Sequence, residues 1–136
     1  MGQQQLLLII LGVIVVGIAV AVGITMFTDN AVSANRDAVT NDLVNLASRA
    51  QQYYRRPAGL GGGQGAFDNS KGGAGLSAIS QLTSKPINSN GTYTLGTVSA
   101  TSVILNGIGT EKGSDGTPIS VTMTVLADST SVVFNN

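Results

Sequence analysis

The 136-residue chain contains no cysteine, no histidine and no tryptophan. Without cysteine, disulfides cannot staple a small domain, and the redox compartment leaves no mark on the sequence. Without histidine, the usual general base near neutral pH and the commonest metal ligand are both missing. Charge is scarce as well: seven basic residues balance seven acidic ones, for a net charge of zero. The basic residues (Arg36, Arg49, Arg55, Arg56, Lys71, Lys85 and Lys112) are scattered, which leaves no electrostatic footprint for nucleic acid or anionic lipid. Glu111 is the sole glutamate, and no candidate nucleophile has a base near it in sequence. Asp68, Asn69, Asp115 and Asp128 are isolated oxygen ligands without the spacing of a calcium loop. Phe27, Tyr53, Tyr54, Phe67, Tyr93 and Phe134 are too sparse for conduction by aromatic stacking. An enzyme is not expected, nor a cofactor, a metal or a specific nucleic-acid site.

What the chain does have is one long apolar run, Leu6 to Phe27. Its 22 residues include no charge, no proline and a single hydroxyl, Thr25. A run of about 18 or more such residues is the signature of a membrane-spanning helix. Fifteen of the 22 are Leu, Ile, Val or Phe, and their insertion energies sum to roughly −5 to −9 kcal/mol. No face of this helix is polar, so it must be covered all round, by lipid or by copies of itself. Gly17/Ala21 and Ala19/Gly23 are small-xxx-small pairs that let helix backbones approach closely. The candidates for such packing are Leu6, Leu7, Ile10, Gly12, Val13, Gly17, Ala21, Gly23 and Ile24. A cleavable secretory signal competes, because Ala19-Val20-Ala21 has the small-x-small form. Against it stand the uncharged start, Met1-Gly2-Gln3-Gln4-Gln5, and an apolar run longer than the roughly 7–15 residues of a signal.

From Thr28 the pattern becomes amphipathic. Val39, Leu43, Leu46, Ala50 and Tyr53 recur at helical spacing, with Val32 one heptad before Val39. This stripe is expected to pack on the chain's own domain; a homodimeric coiled coil is the rival, with a short seam. Arg55 and Arg56 suit a helix C-terminus and Pro57 ends the helix. The weak spot expected in so long a helix is Gly17 to Gly23, since glycine costs up to about 1 kcal/mol relative to alanine.

A short polar start, a long apolar run and an immediate amphipathic continuation resemble a mature type IV pilin over roughly the first 55 residues. The resemblance implies a precursor cut after a glycine by a leader peptidase, with Met1 as the mature, often methylated, N-terminus. A second register, cut between Gly2 and Gln3, resembles archaeal-type signals. Most bacterial members carry glutamate at the fifth mature position. This chain has Gln5, so the amine-to-carboxylate docking of the family does not carry over.

Residues 58–75 contain eight glycines. Gly61-x-Gly63-x-x-Ala66 superficially matches a dinucleotide fingerprint but follows a helix rather than a strand. A flexible surface connection is expected instead, with a short helical turn at Leu76, Ile79 and Leu82. Beyond it, β patterning dominates: Thr92–Val98, Ser102–Leu105, an alternating Pro118–Leu126, and Ser131–Phe134. Asn90-Gly91, Asn106-Gly107 and Asp115-Gly116 read as hairpin turns between these runs. Asn90-Gly91-Thr92 also has the form of a glycosylation sequon at Asn90.

The expected fold is therefore α+β and pilin-like: one long N-terminal helix packed on an antiparallel sheet of about four strands. Its parts are an apolar helix (1–27), an amphipathic continuation (28–56), a Gly-rich connecting loop (57–90) and a β-domain (91–136). The expected function is that of a major subunit of a type IV pilus-like filament. The chain would wait in the cytoplasmic membrane, then polymerise with itself at the cell surface through the pilus assembly machinery. The alternatives are a pseudopilin of a type II secretion system and a single-pass membrane-anchored binding domain.

Overall fold

The structure, a computed structural model, describes residues 2–136. Helix α1 runs unbroken through Gly2–Arg55, 54 residues, or about 81 Å at 1.5 Å per residue. Gly17 to Gly23 does not interrupt it. Pro57 lies just outside the helix and begins the turn into the head of the molecule.

Four strands follow: β1 (Gly91–Val98), β2 (Ser102–Lys112), β3 (Pro118–Leu126) and β4 (Thr130–Phe134). They form one antiparallel meander in the order β1-β2-β3-β4. Along β3, Ile119, Val121, Met123 and Val125 are fully buried, while Ser120, Thr122 and Thr124 turn outward. The inward row of β2 begins with Val103 and Leu105. Val39, Leu43, Leu46, Ala47 and Ala50 of α1 lie on this face and complete one core with Phe67, Leu76, Leu82 and Tyr93. The fold is thus α+β, one long N-terminal helix on an open four-stranded antiparallel sheet.

Two of the three expected hairpin turns sit at chain reversals. Asp115-Gly116 lies in the β2–β3 turn, where Gly116 takes φ +79° and Asp115 Oδ1 accepts from the Thr117 backbone at 3.0 Å. Asn90-Gly91 lies where the chain doubles back so that Ile87 bridges Thr92. Asn106-Gly107 is no turn. It lies in the middle of β2, with Gly107 paired to Tyr93 on one side and Val121 on the other. Glycine is needed there for a different reason. A Cβ on Gly107 would stand 2.7 Å from Val39 Cγ1 and 3.2 Å from both Leu43 Cδ1 and Tyr93 Cε1. Two residues on, a Cβ at Gly109 would collide with Asn35 Oδ1. The inward row of β2 therefore shrinks from Val103 and Leu105 to Gly107 and Gly109 where the helix comes closest.

The Gly-rich stretch, expected to be a flexible surface connection, is packed into the head. Its amides cap the end of α1: Gly63 donates to the Tyr53 carbonyl at 2.8 Å, Gly65 to Tyr54 at 2.7 Å and Gln64 to Arg56 at 2.9 Å. The Tyr54 and Arg56 carbonyls lie past the last intrahelical bonds, so the loop supplies their donors, and it adds a second donor to Tyr53, which also accepts from the Arg56 amide at 3.3 Å. Side chains would obstruct that fit, since a Cβ on Gly62 would strike the Arg56 carbonyl and one on Gly63 the Ala66 carbonyl. Phe67 anchors the loop, fully buried, its ring 4.8 Å from that of Tyr54. Carbonyls at a helix C-terminus repel anions, so this loop is the wrong end of a helix for a phosphate.

Candidate functional site

Every residue from Gly2 to Asn30 is exposed. The apolar run therefore stands free of the head, with Leu6 60% exposed, Ile14 53% and Phe27 78%. Monomeric soluble proteins rarely leave apolar patches beyond a few hundred Å² uncovered, and this one encircles six turns of helix. By length and composition the helix is able to cross a membrane. The hydroxyls of Thr25 and Thr28 fold back onto the carbonyls of Ala21 and Ile24, both at 3.0 Å. Each hydroxyl is thereby satisfied within its own helix and does not oppose an apolar surrounding.

Leu6, Leu7, Ile10, Val13 and Ile24 are all exposed on this segment, as are Gly12, Gly17, Ala21 and Gly23. A Cβ at Gly12, Gly17 or Gly23 would meet nothing within 4 Å. Nothing within the subunit requires those glycines, although each weakens the helix relative to alanine. Their angular positions are informative. At about 100° per residue, Gly12, Ala19 and Gly23 fall within about 40° of one another, and Gly17 and Ala21 fall on the opposite side. The helix thus has two small-residue faces, back to back.

Further along α1, Val39, Leu43, Leu46 and Ala50 are buried and Tyr53 is half-buried against the core. Met1 lies outside the described residues. Asn90 is part-buried, and its side-chain nitrogen, the atom a glycan would occupy, donates to Asp42 Oδ2 at 2.9 Å.

That bond belongs to a set of polar ties along α1. Asn35, Asp42 and Arg49 recur every seven residues along one flank of the core stripe, and each is used. Asn35 Nδ2 donates to the Asn90 carbonyl at 2.8 Å and its Oδ1 accepts from the Glu111 backbone at 3.2 Å. Asp42 Oδ2 accepts from Tyr93 Oη at 2.5 Å and from Asn88 and Asn90 at 2.9 Å. Arg49 Nη1 donates to the Leu82 carbonyl at 2.8 Å. On the other flank, Arg36 donates to the Asn136 carbonyl at 2.7 Å and lies over the Phe134 ring, while Gln51 reaches the Leu126 carbonyl at 3.1 Å. The seven-residue recurrence of polar side chains beside an apolar stripe is the signal that marks the first flank.

Partial burial of Asp42 works against its ionisation, but the donors Tyr93, Asn90 and Asn88 outweigh it and hold the carboxyl below its usual value. Burial, together with the bond to Asp42 and its charge, pushes the Tyr93 phenol upward. The clasp is therefore a neutral phenol on a carboxylate at neutral pH. It ties the head to α1, the same helix that carries the free apolar segment. No protein-family model, no curated protein and no solved structure matches the chain.

Proposed function

We propose that the protein is the structural subunit, in effect a major pilin, of a type IV pilus-like extracellular filament. The observation that carries this is the bare apolar helix continuous with a folded head. A subunit held in the cytoplasmic membrane by Leu6–Phe27 exchanges lipid for the same segment of its neighbours, and the heads stay outside. The two opposed small-residue faces support that choice over a lone anchor. A single anchor needs no close approach of helices and a dimer needs only one such face, whereas an open-ended array needs contacts on at least two sides. The Ser/Thr-lined outer face of the sheet, with Ser120, Thr122 and Thr124 directed away from the helix, suits the outside of such a filament. Its partners are further copies of itself, the membrane before assembly, a leader peptidase and the assembly machinery. No catalysis and no cofactor belong to this role.

Electron microscopy of material sheared from cells, with mass spectrometry of its protein, tests the proposal. Thin filaments composed of this chain are expected, and the mass of the N-terminal peptide reads out the processing at Met1 or Gly2. A scarce, envelope-bound chain in cells that secrete through it would favour a pseudopilin. A membrane-fraction protein with no filaments under any growth condition would leave the single-pass anchored domain.

A further inference from the structure

The head distributes its charge unevenly along α1. At the end nearest the apolar segment, Asp29, Asp37, Glu111 and Asp115 are all exposed. The cations there are Lys112 and Arg36, and the Arg36 guanidinium is occupied by the Asn136 carbonyl and the Phe134 ring. Farther up, a groove runs between α1 and the segment that ends in Asn88. It consists of two adjoining hollows of about 510 and 470 Å³ that share Arg49 and Gln52. Arg49, Arg56 and Lys85 line it and are exposed, with Arg49 donating from one nitrogen to the Leu82 carbonyl. Its one acid, Asp42, has its Oδ2 engaged by Tyr93, Asn88 and Asn90. The groove is thus polar, open and short of negative charge, while the opposite end of the same head holds an acidic surplus.

The two patches cannot meet within one subunit. Asp37 is on α1 and Arg56 directly follows its last residue, 19 residues on, which at 1.5 Å per residue sets them about 28 Å apart. They can meet between two copies displaced along the helix axis. Because the complementary patches differ, the contact is head-to-tail rather than self-matching, and it propagates. We propose that the Arg49–Arg56–Lys85 groove is a docking surface for a second copy of this chain, receiving the exposed acids around Asp29, Asp37 and the β2–β3 turn. The inference rests on the filament proposal and adds to it an electrostatic register between heads. Gln5 is neutral, so the buried N-terminal segment carries no acidic side chain that could set that register. Charge complementarity of this kind specifies register and excludes wrong alignments more than it adds raw affinity.

The absence of cysteine makes the test clean. Full-length chain carrying Asp37→Cys and Arg56→Cys is assembled in cells and its sheared filaments are mildly oxidised. A disulfide needs Cα atoms within about 7 Å, which these positions cannot reach inside one subunit, so any bridge joins two copies. A ladder of multimers on a non-reducing denaturing gel is expected. In parallel, Arg56→Glu with Lys85→Glu is expected to lower filament yield roughly tenfold or more by setting like charges face to face, with the monomer in detergent melting as wild type does. Double-cysteine filaments that assemble as wild type does yet give no ladder, or wild-type yield from the double reversal, would overturn the docking surface and leave the filament itself standing. A wild-type chain that forms no filaments would remove both.

Discussion

Gly107 is the position at which the fit of helix to sheet is most exposed to a single methyl group. In Gly107→Ala the new Cβ would stand 2.7 Å from Val39 Cγ1, about 0.7 Å inside the 3.4 Å where ordinary contact begins, and 3.2 Å from Leu43 Cδ1 and Tyr93 Cε1. All three neighbours belong to fully or almost fully buried residues, so none can swing into solvent. The helix must lift or the side chains must leave their rotamers, and overpacking of this kind costs about 1–3 kcal/mol. Alanine in a strand recovers roughly 0.5–1 kcal/mol of backbone entropy relative to glycine, so the net loss expected is up to about 2.5 kcal/mol. Gly107→Val has the same clash and two more methyls, and is expected to lose 3 kcal/mol or more. For a head of this size each kcal/mol moves the melting temperature by roughly 4–8 °C. The assay is thermal unfolding of the full chain in detergent, followed by β-sheet circular dichroism and by tyrosine fluorescence, which no tryptophan obscures. Gly59→Ala is the control, because a Cβ there meets nothing within 4 Å. A Gly107→Val protein that melts with wild type and the control would refute the close approach of α1 to β2.

The Asp42 clasp makes stability depend on pH at both extremes. Asp42 has its folded value below the ordinary 3.8, so its contribution is complete above 3.8 and is lost as pH falls through the folded value. Tyr93 has its folded value raised above 10.0, so its contribution is complete below 10.0 and is lost as pH rises beyond it. Asp42→Asn should flatten the acid limb of a stability–pH curve, and Asp42→Ala should cost about 1–3 kcal/mol by stranding the buried phenol. An unchanged acid limb in Asp42→Asn would exclude this carboxylate as its source. Phe67→Ala should cost about 3–5 kcal/mol and free the Gly-rich loop, seen as rapid tryptic cleavage after Lys71; slow, wild-type cleavage would mean that the glycine amides alone hold it. Val15→Asp places a charge in the middle of the bare helix, at about 2.5–3.5 kcal/mol in a bilayer, and should abolish filaments. Normal filaments from that variant would remove the shared apolar core.

Much of the architecture was legible in residue order alone. Leu6–Phe27 declares its own environment because 22 consecutive residues without charge leave no polar face to distribute. Val39, Leu43, Leu46 and Ala50 declare a buried stripe because helical spacing depends only on the local backbone. The clean alternation of Ile119 to Val125 does the same for β3. Such periodicities are properties of neighbours in sequence, and they need no knowledge of what lies opposite.

What lies opposite was decided only by the tertiary structure. Asn106-Gly107 has the local chemistry of a turn, yet the helix overhead claims the glycine for clearance and the pair stays in the strand. The Gly-rich loop has the composition of a flexible linker, yet its amides find the unpaired carbonyls at the end of α1, and Phe67 finds the core. Asn35, Asp42 and Arg49 look like solvated polar residues until the segment ending at Gly91 folds back and gives each a partner. In each case the deciding contact joins residues beyond the reach of local periodicity, and composition carries no information about which residues those are. The bare helix is the reverse case, in which the sequence by itself determines that the surface must be covered and the isolated fold supplies nothing to cover it.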